Sequence, residues 1–208
     1  GEGVEGPAIA NRVLLESDPH AVLEGLALCG YAIGARHGIV YVRSEYPRAA
    51  ERVERAIAEA RGAGLLGASV AGSDFAFEVR VVLGEGSYVC GEETALISAL
   101  EGRRGEVRVR PPYPTVQGLF GMPTVVNNVE TLANVLPILT EGAAAWAARG
   151  TSASTGTRLL CVSGHVARPG LYELPFGVTL GEVLDLAGGV GEGRALQAIL
   201  LGGAAGHV

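Results

Sequence analysis

Apolar positions recur at two periods along this chain, and the order of those periods predicts its first elements. Val22, Leu23, Leu26, Ala27, Tyr31 and Ala32 fall at helical spacing. Asp18 as N-cap and Pro19 as first helical residue open that helix, and Gly34 or Arg36 ends it. Ile39 to Arg43 is short and β-branched and predicts a strand. A second helix opens at Ser44 or at Tyr46-Pro47 and runs to Ala60. Val53, Ala56 and Ile57 lie on its apolar face, and its charged residues form an ordinary solvated one. From Phe75 to Leu83 the period changes to two. Phe75, Phe77, Val79 and Val81 alternate with Ala76, Glu78 and Arg80, a strand with one partly wet face. Residues 1–12 show no clear periodicity and are expected to form a loose terminus.

Helices that cross over between strands imply parallel pairing, hence an α/β class. The second strand delivers a glycine-rich loop, Gly84 to Gly91, at its carboxyl end, where open α/β sheets bind ligands. Glu92 and Glu93 follow, in the first turn of a helix marked by Ala95, Leu96, Ala99 and Leu100. Acids there suit the helix dipole whether or not a ligand binds. The glycine spacing is not the usual dinucleotide fingerprint, which needs a helix straight after its glycines. Arg108, Arg110, Pro111, Pro112, Tyr113, Pro114, Gly118, Gly121 and Pro123 then break any helix or central strand. That segment is too apolar for a free linker and predicts an ordered, wrapping loop. It ends at Val126-Asn127-Asn128, where one Asn serves as N-cap. Amides and free N–H groups at a helix start suit a phosphate or the polar edge of a flat ring.

Beyond Asn128 a helix is expected to kink or end at Pro137, with a short one over residues 142–148 carrying Trp146 as a packing anchor. Residues 149–157 read as a polar linker, so the domains are expected at 1–150 and 158–208, with 151–157 between them. A hairpin follows, Arg158–Gly164 against Leu171–Pro175, then a helix with a Thr179/Glu182 capping box, then a strand over residues 196–201.

Composition narrows the chemistry. The 208 residues carry a formal net charge of -6 and no long basic run, which gives nucleic acid no footprint. No run of 18 apolar residues is present, so a cytoplasmic protein is expected, or one held peripherally on the cytoplasmic side of a membrane through a larger complex. Cys29, Cys90 and Cys161 lack the spacing of a zinc or cluster site; Cys29 and Cys161 read as buried spacers, Cys90 as a packing residue. His20, His37 and His165 read as surface residues.

The segment GEGSYVCGEETAL, the LEGRRG after it and PTVVNNVET resemble the flavin-binding subunit of NADH dehydrogenases, a subunit type shared with NAD-reducing hydrogenases and NAD-dependent formate dehydrogenases. The resemblance implies a Rossmann-like parallel sheet holding FMN, followed by a ubiquitin-like β-grasp, soluble-ligand-binding domain. It implies hydride transfer from NADH to FMN and onward transfer of single electrons to iron–sulfur centres. Gly84, Gly86, Tyr88, Gly91 and Glu92 would line the flavin and nicotinamide. Glu93 and Glu5 would meet the nucleotide, with Arg110 as the basic residue facing it. Val126, Asn127 and Asn128 would hold the ribityl chain and phosphate. NAD is expected over NADP. The implied partners are a thioredoxin-like [2Fe–2S] subunit and a larger iron–sulfur subunit. The resemblance covers the middle half of the family's length. The GRGGAGFPTG loop and the CxxCxxC domain for a [4Fe–4S] cluster, expected only in a full-length parent, are not among these residues. The domains are therefore expected to be incomplete at both ends and the piece alone inactive. A second reading keeps the fold as a non-catalytic assembly or ligand-binding module.

Overall fold

The computed structural model describes residues 6–86, 88–202 and 206. Its first element departs from the expected loose terminus: α1 is a helix over Gly6–Ser17. It packs on α3 and β3, burying Ala10 and Leu15, so tertiary contact supplies what its weak periodicity does not. Helix α2 (Pro19–Ile33) starts as expected. Asp18 accepts from the Ala21 N–H, Pro19 stands in the first turn, and Gly34 closes the helix at φ 71°. Strand β1 (His37–Arg43) leads into α3 (Pro47–Gly62). Strand β2 (Glu78–Gly84) lies parallel to β1, with His37 opposite Glu78 and Arg43 opposite Gly84. It starts later than its alternation suggests, because the Phe77 backbone pairs with Gly67 and not with β1, its ring stacked on Phe75.

The core lies where α2, α3 and the two strands meet: Val22, Leu23, Val40, Val42, Val53, Ile57, Phe77 and Val79 are buried together. Gly25 has no room for a side chain, since a Cβ there would run into the Leu132 carbonyl. That close approach brings α5 (Val129–Ala133) onto α2.

Between them come α4 (Glu93–Leu100) and the wrapping loop. Helix α5 ends at Asn134 and α6 (Val135–Glu141) starts there, ahead of Pro137. Pro137 sits in the first turn of α6, where its missing N–H has no helical partner to lose, and so it breaks nothing. Helix α7 (Ala143–Ala147) follows. Residues 149–156 form an ordered turn, with Gly156 buried under the Trp146 ring and the Arg149 guanidinium over that ring.

Strands β3 (Thr157–Val162) and β4 (Gly170–Pro175) form an antiparallel pair, and α8 (Leu180–Leu186) carries the complete Thr179/Glu182 capping box. The third strand expected at 196–201 does not form: residues 194–200 have no regular structure, and Leu196, Leu200 and Leu201 are exposed. Within that run only Leu201 takes part in a bridge, which is short of a ladder. The molecule is thus an α/β unit with a small parallel sheet followed by an antiparallel hairpin unit. Among the described residues no helix is long and apolar enough to cross a membrane.

Candidate functional site

Parallel pairing brings the carboxyl ends of β1 and β2 side by side, and the Ser44 N–H donates to the Gly84 carbonyl at 3.1 Å. The glycine loop starts at that seam. Gly84 is buried beneath Tyr41, whose hydroxyl and ring fill the space a Cβ would need. Gly86 holds φ 75°, a left-handed conformation that favours glycine, beside the Glu45 carboxylate. Tyr88 opens a single 3-10 turn over Tyr88–Gly91, its side chain 80% exposed. Gly91 faces open space. Cys90 is buried under the loop as a packing residue, filling the space beside Gly105.

The turn hands over to α4 at Glu92, which is the N-cap and not a first-turn residue. Glu92 Oε2 takes three donors: the Thr94 N–H at 2.9 Å, the Ala95 N–H at 2.9 Å and the Thr94 hydroxyl at 2.5 Å. Its other oxygen, Oε1, is buried without a hydrogen bond and has the Arg110 Nη2 at 3.7 Å. Arg110 Nη1 donates to Glu93 Oε1 at 2.7 Å. Burial pushes the Glu92 carboxyl up, but the Thr94 hydroxyl, the two N–H groups and Arg110 outweigh it and hold the carboxyl below its usual range.

The structure therefore brings Arg110, from the wrapping loop, to Glu92 and Glu93, where the loop carrying Gly84, Gly86, Tyr88 and Gly91 ends. Val126, Asn127 and Asn128 stand where the wrapping loop reaches α5, against α2. Asn128 Oδ1 caps α5 by accepting from the Glu130 N–H, which leaves its amide NH₂ to donate. Asn127 Nδ2 points at Cys29 Sγ at 3.5 Å. Cys29 and Cys161 are half-buried, not buried; Cys29 packs against the outside of the main core. Glu5 lies outside the described residues.

Several neighbours of the site escape sequence reading. Tyr41 and Glu45 belong to the β1 end; the signal for them is the parallel register, which sets any residue ending β1 beside the loop ending β2. Burial, then the Cys90 thiol beside it, then the charges of Glu85 and Glu45 push the Tyr41 hydroxyl up to about 12. Glu101, Arg108, Thr94 and Ser98 lie behind the acids. A cavity of about 390 Å³ opens there between α4 and the wrapping loop, lined by Ile97, Glu101, Arg108, Pro112, Pro114 and Phe120. The acid pair is not part of its wall.

Residues 2–137 match the family described as the Nuo51 FMN-binding domain, and residues 159–204 match the SLBB domain. The NADP-reducing hydrogenase subunit HndC of Solidesulfovibrio fructosivorans is 46% identical over 201 residues, which is 96% of this chain and 41% of that protein. An NADH-quinone oxidoreductase subunit of Rhizobium meliloti is 48% identical over 203 residues, 97% of this chain and 48% of that one. Among solved structures, the NAD⁺-reducing [NiFe]-hydrogenase in its H₂-reduced state superposes with a TM-score of 0.77 at 48% identity, over 85% of this chain and 30% of that one. The chain spans less than half the length of these curated relatives.

Proposed function

The chain belongs to the Nuo51 FMN-binding-domain family, and from that premise we propose that it is the central part of a flavoprotein subunit that takes hydride from NADH. FMN, when bound, supplies the chemistry: it accepts two electrons as hydride and releases them singly. One observation carries the reading. Glu92 has one oxygen saturated by α4 and the other buried without a donor, at the mouth of a glycine loop. A buried acceptor left over by capping fits a ligand that brings its own N–H or O–H.

Each residue then has a distinct task. Gly86 and Gly91 let the loop backbone approach a flat ring system, and Gly84 admits Tyr41 where the loop begins. Tyr88 offers it an exposed aromatic face. Glu93 and Arg110 would receive the nucleotide, with Glu5 as a second acid. The free NH₂ of Asn128, with Asn127 and Val126, would hold the ribityl phosphate. Hydride transfer moves no proton to the protein, so no general base is required. Arg110 offsets the charge of two adjacent carboxylates that would otherwise repel an anionic dinucleotide.

Within a longer polypeptide the hairpin unit would complete a β-grasp fold. Electrons would leave through a [4Fe–4S] cluster, a thioredoxin-like [2Fe–2S] subunit and a larger iron–sulfur subunit, in an assembly on the cytoplasmic side of a membrane. NAD is the proposed nucleotide. One relative is named for reducing NADP, so the test includes both. The chain is mixed with FMN, passed through gel filtration and scanned in the visible. A retained flavin band that bleaches with NADH, and more slowly with NADPH, would mean that these loops suffice for the site without the rest of a longer polypeptide. A protein fraction without flavin would sink the claim that these loops hold it.

A further inference from the structure

Behind the acid pair runs a chain of hydrogen bonds with a fixed direction. The backbone N–H of Arg108 donates to Thr94 Oγ1 at 2.8 Å. A backbone N–H can only donate, so the Thr94 oxygen accepts there and its single proton goes to Glu92 Oε2, at 2.5 Å. The Arg108 side chain then forks. Its Nε donates to Ser98 Oγ at 3.0 Å and its Nη2 to Glu101 Oε2 at 2.6 Å. The remaining oxygen of Glu101 accepts the Phe120 N–H at 2.8 Å. Thr94 and Ser98 are buried, and the Glu101 side chain is only 5% exposed.

Two features of this chain are unfavourable taken singly. Glu101 is the C-cap of α4, where the helix dipole disfavours an acid. Phe120 holds φ 51°, a left-handed conformation uncommon for a non-glycine residue. They meet each other: the misplaced acid holds the N–H of the left-handed residue. A carboxylate this deep persists only where donors reach both oxygens, and here they do. Two residues after Arg108 comes Arg110, the partner of Glu93.

We propose that Glu101 and Arg108 are positioning residues for the acid pair: they clamp the wrapping loop to α4, so that the Arg108 N–H orients the Thr94 hydroxyl toward Glu92 and Arg110 arrives at Glu93. The inference rests on the flavoprotein reading only for what the acids bind. The clamp itself does not depend on it.

The test uses the full chain without flavin, so loss of flavin binding and loss of the clamp are separate results. Carboxyl-carbon NMR follows the titration of Glu92, whose charged neighbours are Glu93 and Arg110, and hydrogen exchange follows the amides of Arg108 and Phe120. Glu101→Gln removes the charge and keeps the shape. Arg108→Lys keeps the charge and loses the fork. Each is expected to speed both amides by about tenfold and to move the Glu92 midpoint up toward the ordinary carboxylate range. Arg104→Lys, on an exposed side chain of the same loop, is expected to change neither. Faster amides with an unmoved Glu92 would reduce the pair to a structural brace and overturn the positioning role. Unmoved amides would overturn the clamp as well. If Glu101→Gln does not fold, Arg108→Lys decides alone, on a side chain 31% exposed that folding tolerates better.

Discussion

The Tyr41 side chain, from the end of β1, occupies the space that a Cβ on Gly84, the last residue of β2, would need. The strand that starts the site loop is therefore gauged against its neighbour by an aromatic ring. Gly84→Ala is expected to destabilise the fold by about 1–3 kcal/mol, the usual range for overpacking a filled site, with weaker flavin retention. Urea unfolding and the gel-filtration assay measure the two effects.

Tyr41 also has a pH signature. Its hydroxyl is pushed up to about 12 in the folded chain, chiefly by burial, from an ordinary 10.0. The folded state thus keeps the proton where the unfolded state releases it. The stabilisation is complete below pH 10.0 and is lost as pH rises toward about 12. Absorbance at the phenolate band should show one tyrosine titrating late, and Tyr41→Phe should remove it.

Glu101 acts in the opposite direction. Burial pushes its carboxyl up, but the Phe120 N–H, the Arg108 guanidinium and Arg103 outweigh burial and hold it below the ordinary 4.5. Its contribution is complete above pH 4.5 and is lost as pH falls through the folded value. Stability measured from pH 6 down to pH 3, roughly the span of carboxylate titration, should fall less steeply in Glu101→Gln than in the parent. An unchanged slope would remove Glu101 from the acid-sensitive groups.

Among the described residues Phe77 is the largest fully buried side chain, stacked on Phe75 and pressed against Gly30 and Gly38. Phe77→Ala should cost about 3–5 kcal/mol. Thr179→Ala, which removes one half of the capping box, should cost about 0.5–2 kcal/mol. Comparing the two by thermal unfolding shows whether the hairpin unit melts apart from the α/β unit: a cap effect confined to one of two transitions means that it does.

Much of the fold is legible along the chain because its signals are local. Asp18-Pro19 marks a helix start, the alternation around Val79 marks a strand, and Thr179 with Glu182 marks a cap. Glu92 and Glu93 are visible as a pair for the same reason. What is not legible depends on contacts distant in sequence. Helix α1 exists through α3 and β3, and nothing near Leu196 reveals that residues 194–200 take no regular structure. Glu101 reads as an ordinary helix-end acid until Phe120, 19 residues away, is placed on it. Tyr41 gains its place only from the register that sets β1 beside β2.

Glu130, in the first turn of α5, accepts the backbone N–H of Leu159 in β3 at 2.6 Å. That N–H belongs to a strand otherwise laddered to β4, so a helix carboxylate acts as a peg in the rim of the hairpin. The same short helix begins at Asn127-Asn128. A ligand held by those amides would sit within one helical turn of that peg. The hairpin unit is thus held to the α/β unit by that bond as well as by α1 against β3, and Glu130→Gln, whose amide oxygen still accepts the Leu159 N–H, would keep it attached.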